Sequence, residues 1–312
     1  LGSYYKFLVK YEKEYTIRFT EEQEKVIEFI SKKLANGKRI HELELLNRML
    51  RYQKGLLNIL KKSLQENYGI QIDQNAEENI VNVMTNEFPT SASKKTYDAC
   101  VFVEKEQEKA GDYQISKSFE QMLENSDFYT MVQELIDFGI DRYRKNYQQR
   151  YQDTNLVLYQ KYTYEDACRL LNWNHNEVPL NIGGYKFDKR TKTFPVFINY
   201  DKMEDISDTT KYEDHFTSAR SLIAISKSGR GLESEDVQNF LQAKERGIAV
   251  HLFVRKNKDD KISKEFYYLG KIHASGFAKE FIMTNTEKSA VEIEWILDTP
   301  VREDVYEYLV RG

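Results

Sequence analysis

One short segment of the sequence places an acid between two aromatic rings. In an extended strand alternate side chains share a face, so Tyr212, Asp214 and Phe216 would lie on the same side. Two rings can stack on the faces of a base that has left its helix, while a carboxylate accepts a hydrogen bond from an amine such as N4 of cytosine. The spacing therefore indicates a pocket for an extruded base. The other interpretation is an acid that caps a turn beneath two core aromatics.

Three further aromatic residues stand where they could line the same kind of pocket. Trp173 lies in a polar loop, Tyr185 follows two glycines, and Tyr268 belongs to an aromatic run that ends at a glycine. Aromatic rings stack on any base, since every base has a π-face. Each of the three could equally pack under a sheet, so both interpretations stay open.

Cations and hydroxyls gather in two segments that contain glycine. Residues 183–192 combine a Gly-Gly pair with four cations, and residues 226–230 combine two serines with two cations. Glycine lets a backbone approach a ligand closely, while ammonium, guanidinium and hydroxyl groups bind phosphate oxygens. The alternative is a β-hairpin and a turn with solvated charges. The candidates for contact with a DNA backbone are Lys186, Lys189, Arg190, Lys192, Ser226, Lys227, Ser228 and Arg230.

Motifs for catalysis are missing from the sequence. It has no phosphate-binding GxxxxGK[ST] loop, no HxE…CxxC deaminase set, no HExxH and no GxSxG. The five histidines do not pair at metal-binding spacing. We therefore expect a non-catalytic chain that holds no metal and no cofactor. A nuclease built from scattered acids is the interpretation that sequence alone leaves open.

Composition sets bounds on compartment and partner. At 312 residues the chain suits two domains. Its net charge of -4 argues against binding nucleic acid through bulk charge, so contacts with DNA must come from local patches. Cys100 and Cys168 indicate free thiols in a reducing compartment, so we expect a cytoplasmic protein. No apolar run is long enough to span a membrane, so we expect no membrane partner. The opening residues 1–3 resemble a remnant of cloning, which favours a fragment of a longer protein.

The periodicity of apolar residues changes midway along the chain. The first half has three- and four-residue spacing, which predicts helices over residues 21–34 with Thr20 as N-cap, 42–68, 74–87, 116–125 and 127–148. The second half has short alternating or apolar runs, which predict strands over residues 193–200, 221–226, 248–254, 266–272 and 290–297, with one helix over 234–246. We therefore predict an α+β protein. An all-α helical domain, residues 1–155, precedes a mixed, mainly β domain, residues 156–312, with a curved sheet or partly open barrel.

A family resemblance is carried by motifs of the second half. They are Tyr-x-x-x-x-Ala-x-x-Leu-Leu-Asn-Trp at 162–173, Asn-Ile-Gly-Gly-Tyr at 181–185, Phe-Pro-Val-Phe-Ile-Asn-Tyr at 194–200 and Tyr-x-Asp-x-Phe at 212–216, with shorter stretches at 226–228, 252–256 and 266–270. In these the chain resembles the C-terminal region of bacterial proteins that join a phospholipase D-type nuclease to a superfamily 2 helicase. Among them it is most similar to the SauUSI-like, ATP-dependent type IV restriction endonucleases. The likeness covers residues 156–312 well, and residues 4–155 only in general helical character.

This resemblance implies a function that spacing and composition do not show. The second half would be an SRA-like target-recognition domain that binds double-stranded DNA and flips modified cytosine, 5-methylcytosine or 5-hydroxymethylcytosine, into an aromatic pocket. The first half would couple recognition to the helicase and nuclease domains of the same full-length protein, in phage defence. ATP and Mg²⁺ would serve only those domains, so this fragment would be no enzyme. An RNA-binding module or a protein-interaction regulator of a helicase are the alternatives.

Overall fold

The computed structural model describes residues 3–201, 214–257, 264–284 and 286–311. The chain divides into two compact units, and each takes two segments of the sequence. The first unit is Leu1–Leu156 with Cys168–Glu177, and the second is Val157–Ala167 with Val178–Gly312. The predicted division between residues 155 and 156 therefore differs from the observed one, because the polar loop after residue 167 packs with the helical unit.

The first unit is built mainly from helices. They are α1 (Tyr4–Tyr11), α2 (Glu21–Phe29), α3 (His41–Met49), α4 (Leu56–Tyr68), α5 (Gln74–Met84), α6 (Ser91–Thr96), α7 (Lys117–Leu123) and α8 (Ser126–Asn146). A short antiparallel hairpin, β1 (Val103–Lys105) and β2 (Tyr113–Ile115), lies between α6 and α7. The prediction of an all-α domain is wrong in this detail.

Local signals place the helix ends of this unit. The Thr20 side chain accepts from the Gln23 amide, and the Gln23 side chain bonds back to the Thr20 amide, so the predicted N-cap is confirmed as a capping box. Helix α2 continues as one π-helical turn, Ile30–Leu34. The single helix predicted over 42–68 is two helices instead, because Gly55 adopts φ +68 between α3 and α4, a conformation that only glycine takes readily.

A buried ion network lies inside the first unit. Both oxygens of the Glu42 carboxylate accept from the Arg39 guanidinium, one of them from Nε at 3.0 Å, and Arg169 Nη1 lies 3.2 Å from Glu42 Oε1. Arg39 also donates to Asn79 Oδ1 at 2.7 Å and to the Arg169 carbonyl at 2.9 Å. Arg39 and Glu42 are almost completely buried. Arg169 belongs to the segment Cys168–Glu177, so the network ties this segment to the helices. A buried charge is tolerated only when it is paired and hydrogen-bonded, so separating the segment from the helices would be costly.

Seven strands among the described residues form one mixed sheet in the second unit. They are β3 (Lys161–Tyr162), β4 (Thr193–Asp201), β5 (His215–Ser218), β6 (Ser221–Ile225), β7 (Ala249–Asn257), β8 (Phe266–Ile282) and β9 (Ser289–Leu297). The order is β4-β7-β8-β9-β6-β5, with β3 beside β8. Only the β4–β7 pairing is parallel among those described. The five predicted strands are confirmed, β3 was not predicted, and β5 overlaps the extended segment 212–216 on which the predicted base pocket depended.

The sheet bends at irregularities in its longest strand. Strand β8 spans 17 residues, and its register against β9 shifts between Ala274 and Ala278. Side chains before this shift are mostly buried, and those after it are mostly exposed. Since a bulge bends a strand and increases its twist, β8 changes direction here, while Ala290, Val291 and Ile293 of the paired strand β9 stay buried in the core.

Short helices accompany the sheet. They are α9 (Tyr164–Leu170), whose residues fall in both units, α10 (Pro179–Ile182), α11 (Glu235–Leu241), α12 (Ala243–Arg246) and α13 (Glu303–Arg311). The ring of Phe240 in α11 stacks on Phe194 with centroids 4.0 Å apart and meets Trp295 edge-on at 5.0 Å, which joins this helix to the core. The predicted α+β class is confirmed. Across the described ranges, no helix is both long enough and apolar enough to cross a membrane.

Candidate nucleic-acid interface

Two of the segments that carry cations meet at the side chain of Tyr185. Its hydroxyl donates to Asp236 Oδ2 at 2.8 Å and accepts from the backbone amide of Lys227 at 2.9 Å. The Lys227 ammonium donates to the Tyr185 carbonyl at 2.8 Å and lies 4.7 Å from the centre of the Tyr185 ring. Gly184, at φ +81, leaves room for the lysine chain beside it. The predicted segments 183–192 and 226–230 are therefore neighbours in the fold.

The ionisation of this cluster follows from burial and from its neighbours. Burial raises the pKa of Tyr185, so its hydroxyl stays protonated and keeps donating. Burial opposes ionisation of Asp236, but hydrogen bonds from Arg230 and Tyr185 outweigh it and hold the pKa of Asp236 below its usual value. Burial also lowers the pKa of Lys227, and the nearby cations Arg230 and Lys186 lower it further while Asp236 opposes them. A phosphate placed here would relieve the repulsion among these cations.

The loop that carries Lys227 is held in place by the adjoining strands. The Ser226 hydroxyl accepts from the Val291 amide at 2.9 Å and donates to the Lys227 carbonyl at 3.1 Å. The Gly229 amide donates to the Ser289 carbonyl at 2.7 Å. The predicted phosphate contact through Ser226 is therefore wrong, because its buried hydroxyl already bonds within the fold. The neighbouring Ser228 is exposed and stays a candidate.

The basic turn after Tyr185 is a β-hairpin, which was one of the two interpretations of its sequence. The amide of Asp188 donates to the Thr193 carbonyl at 3.0 Å, and the Asp188 carboxylate accepts from Thr191. Lys189 Nζ lies 3.7 Å from Glu235 Oε1, beside the cluster. Lys192 instead donates to the carbonyl of Arg246, at the end of α12. The hairpin therefore contributes Lys186 and Lys189 to the cluster, whereas Lys192 points elsewhere.

An open pocket of about 430 Å³ lies against the cluster. It offers an aromatic ring, a guanidinium, a hydroxyl, an amide and two carboxylates, and its lining residues are Phe187, Arg230, Ser234, Glu235, Asp236 and Asn239. Of these only Arg230 was predicted as a site residue. The acids follow Ser234 at the start of α11, where acidic residues are common for a local reason, the positive end of the helix dipole. Sequence alone therefore gave no signal that they belong to a site.

The predicted pocket of Tyr212, Asp214 and Phe216 is not assembled among the described residues. Tyr212 lies outside them. Asp214 Oδ1 accepts from the Ile225 amide at 2.9 Å. Phe216 is 8% exposed, and its ring lies 5.6 Å from Tyr200 within the core. Phe216 therefore presents no ring face to a base, whereas the roles of Tyr212 and Asp214 stay predictions.

The other predicted aromatic residues lie apart from one another. Trp173 is buried in the first unit, where its carbonyl accepts from the Asn79 side chain. Tyr268 is fully buried, its ring packs on Phe253 at 5.1 Å, and its hydroxyl lies 3.0 Å from His251 Nδ1. Neither ring can stack on a base without leaving its core. Among the predicted base-pocket residues that are described, only Tyr185 lies beside the cations. Its ring is 6% exposed and packs on Phe194 and Phe240, so Tyr185 orders the cations and presents no ring face to a base.

In the ranges that the structure describes, no group of three or more His, Cys, Asp or Glu side chains could hold a metal ion.

Arg190, the remaining candidate of the hairpin, is partly buried and has further interactions within the fold.

Solved structures similar to this chain include SRA domains. The SRA domain of SUVH5 in complex with hemimethylated CG DNA is 11% identical, with a TM-score of 0.32, covering 47% of this chain and 92% of that one. The complex of the same domain with fully methylated CG DNA is 10% identical, with a TM-score of 0.31 and the same coverage. KRYPTONITE in complex with mCHH DNA, an H3(1–15) peptide and SAH is 10% identical, with a TM-score of 0.32, over 55% of this chain and 38% of that one.

Two family models match this chain in succession. Residues 1–148 match a domain of unknown function, DUF8090, and residues 156–309 match another, DUF3427. No curated protein matches the chain. The helical and the β-rich parts are therefore similar to two different families, each described only as a domain of unknown function.

Proposed function

We propose that the second unit binds double-stranded DNA that contains modified cytosine. The observation that carries this proposal is the meeting of two cation-bearing segments at Tyr185, beside an open pocket. We call this region the Tyr185 surface, formed by Tyr185, Lys186, Lys189, Lys227 and Arg230. The sequence motifs shared with modified-cytosine-specific restriction endonucleases support the same conclusion.

The phosphate backbone would be held by the cations of the Tyr185 surface. An ammonium has three donors, so Lys227 can keep its bond to the Tyr185 carbonyl and still donate to a phosphate. Arg230 Nε donates to Asp236 at 2.8 Å, which orients the guanidinium, and the side chain is 42% exposed, so a phosphate can reach it. Because the net charge is -4, affinity must come from this patch, and four contacts give a salt slope of about -3 to -4.

The open pocket is the candidate receptor for the base. A cytosine methyl packed against Phe187 contributes about 0.8 kcal/mol, which corresponds to a preference of about fourfold over unmodified cytosine. Glu235 is an exposed carboxylate that could accept from N4 of cytosine and so disfavour thymine, which has a carbonyl there. The base would leave the duplex to reach these groups, as enzymes that act on bases require.

The first unit is proposed to couple recognition to helicase and nuclease domains of a longer restriction endonuclease. The support for this coupling is the family resemblance of the sequence. ATP and Mg²⁺ would act in those domains, and this chain would need no cofactor to bind DNA. Incubation with methylated duplex, ATP and Mg²⁺ should then release no phosphate and leave the DNA intact. Hydrolysis or cleavage at rates above a no-protein control would contradict a purely recognising role.

Binding is tested by fluorescence anisotropy with matched probes. The duplexes carry cytosine, 5-methylcytosine or 5-hydroxymethylcytosine at one position, and an RNA duplex of the same sequence is the fourth probe. The variant Lys227→Ala/Arg230→Ala should weaken binding to all DNA duplexes about equally and by at least tenfold, because phosphate contacts carry little sequence information. The control Lys62→Ala/Lys145→Ala makes the same charge change in the first unit and should retain parental affinity.

Four outcomes distinguish the proposed DNA-binding function from its alternatives. Equal losses in the two double variants would show that bulk charge dominates. No loss in Lys227→Ala/Arg230→Ala would remove the Tyr185 surface as the docking site. Tighter binding to RNA without any methyl preference would favour an RNA-binding module, and no binding to any probe would favour a protein-interaction module.

The pocket has its own test. Phe187→Ala should reduce the preference for 5-methylcytosine toward one while leaving affinity for unmodified DNA within about twofold, because the ring offers no hydrogen bond to a phosphate. Since Phe187 also packs on Phe194, with ring centroids 5.4 Å apart, the variant must first show the circular dichroism spectrum of the parent. Glu235→Gln should narrow the discrimination between 5-methylcytosine and thymine. If both variants keep the parental preferences, the base is read elsewhere, and the search returns to Tyr212 and Asp214.

A further inference from the structure

An unusually exposed leucine stands next to the Tyr185 surface. Leu180 is 93% exposed, the highest value among the large hydrophobic side chains of the described residues. Single exposed apolar residues are ordinary on protein surfaces and need no explanation by themselves. What singles out Leu180 is the rigidity of its backbone and the charge of its neighbours.

The backbone around Leu180 is fixed from both sides. It lies in α10, one helical turn that begins with Pro179, whose ring restricts φ to the helical value. The amides of Asn181 and Ile182 both donate to the Val178 carbonyl, at 3.0 and 3.2 Å. Ile182 is completely buried and anchors the turn in the unit. Leu180 is therefore presented to solvent on a turn that needs little further ordering to make a contact.

The turn leads directly into the cation cluster. A Cβ built at Gly183 would lie 3.3 Å from the Pro179 carbonyl and 3.8 Å from the Leu180 carbonyl, so the chain folds back closely here. The next residue, Gly184, approaches the Lys227 side chain to 3.9 Å on the same measure. Leu180 thus lies four residues before Gly184, on the short segment that leads into the Tyr185 surface.

This combination matches the chemistry of a duplex. Nucleic acids are anionic outside and have apolar stacked bases inside, so a partner that binds the cations brings base steps within reach of an apolar tip. Proteins that enter a duplex in this way insert Phe, Leu, Ile, Met or Pro between neighbouring bases.

We propose that Leu180 is a wedge that enters the base stack of the bound duplex. Phosphates bound by Lys186 and Lys227 hold the DNA against α10, and the leucine side chain separates adjacent bases and occupies the opened space. This inference rests on the proposed DNA binding and deepens it, because it assigns the opening of the stack to one apolar residue that makes no polar contact with the base.

The experiment measures binding and unstacking separately on the full chain. The probe is a duplex with 2-aminopurine next to 5-methylcytosine, whose fluorescence rises when the reporter base is unstacked, while anisotropy of an end label reports binding. Leu180→Asn keeps a similar side-chain size but makes the tip polar. It should abolish most of the fluorescence rise at saturating protein and weaken affinity by about three- to tenfold, with an unchanged salt slope, since no phosphate contact is lost. Leu180→Phe keeps an apolar side chain and should give a fluorescence rise similar to that of the parent.

The controls distinguish the wedge from the binding surface. Phe138→Asn removes another exposed apolar side chain, in the first unit, and should behave as the parent. Lys227→Ala/Arg230→Ala should need more protein to reach saturation but then give the parental rise. If the parent binds the duplex without any rise, or if Leu180→Asn gives the full rise at saturation, the wedge is refuted while DNA binding stands. If the parent binds no duplex, the proposed function itself fails.

Discussion

Replacing Glu42 by Gln tests whether the buried ion network holds the helical unit together. Glu42 pairs with Arg39 and Arg169, and all three side chains are buried. Burial opposes ionisation of Glu42, yet the two guanidinium groups outweigh it and keep the pKa of Glu42 well below its usual range. The substitution removes the one negative charge between two cations while keeping the size of the side chain.

The expected cost follows from the charges that remain. Removing one partner of a buried ion pair costs about 3–5 kcal/mol, since the other charge stays desolvated and unpaired. Glutamine retains one carbonyl acceptor for Arg39, so we expect the lower end, about 3 kcal/mol, or about two orders of magnitude in the unfolding equilibrium. A domain of this kind is stable by only about 5–15 kcal/mol, so the effect is large.

Urea denaturation followed by far-ultraviolet circular dichroism measures this cost. The control is Glu66→Gln, the same chemical change at the exposed Lys62–Glu66 pair, which should cost less than about 0.5 kcal/mol. Leu substituted for Glu42 would leave both cations without an acceptor and should be worse than Gln. For Glu42→Gln, a cost below about 1 kcal/mol would be similar to that of the control. It would show that water or rearrangement compensates the two cations. The network would then not be what holds residues 168–177 in place.

Three further perturbations have definite expected outcomes. Thr20→Ala should cost about 1 kcal/mol in urea denaturation, because it removes the side-chain half of the capping box, and an unchanged midpoint would contradict this. Tyr185→Phe should destabilise the second unit by about 1–2 kcal/mol, since the Lys227 amide loses its acceptor and Asp236 loses a donor. Tyr185→Phe should also weaken DNA binding in the anisotropy assay, because the loop that carries Lys227 loses a contact that orders it. Parental affinity would show that DNA binding does not depend on that order. Burial and the nearby guanidinium groups hold the pKa of His41 well below its usual value, so only the unfolded chain gains this proton as the pH falls below about 6.5. The free energy of unfolding should therefore decrease from pH 7 to pH 5, and His41→Gln should flatten that slope if the assignment is correct.

Helix ends were predictable because their signals are local. Thr20 forms the expected cap, and α4 and α12 end at Gly69 and Gly247 as expected. The break between α3 and α4 was not predicted, because leucines continue at helical spacing on both sides of Gly55. A periodic pattern of apolar residues does not reveal a single glycine at which the chain leaves the helix. Strand positions followed from short apolar runs, whereas the order of the strands depends on pairings between distant residues.

The candidate site was predictable only in part, for the same reason. The sequence groups Lys186 with Lys189, and Lys227 with Arg230, but it also groups Lys192 with them, which bonds to the end of α12 instead. The role of these cations in binding DNA stays a prediction. Their meeting depends on Tyr185 and Asp236, which are 51 residues apart and carry no mutual signal in one sequence. Phe216 was misjudged because alternation states which residues share a face but not whether that face is the core.

The route of the chain has a consequence for exchanging parts between chains of this fold. The polypeptide passes between the two units at 156/157, 167/168 and 177/178. A foreign second half joined at residue 155 alone would replace residues 168–177 as well, which pack with the helices of the first unit, and would leave Glu42 without Arg169. A graft that exchanges 157–167 together with 178–312, and keeps the recipient's own 168–177, would preserve both cores. The second unit can therefore be exchanged only as a two-part insert, and libraries made by single crossover should yield mostly misfolded chains.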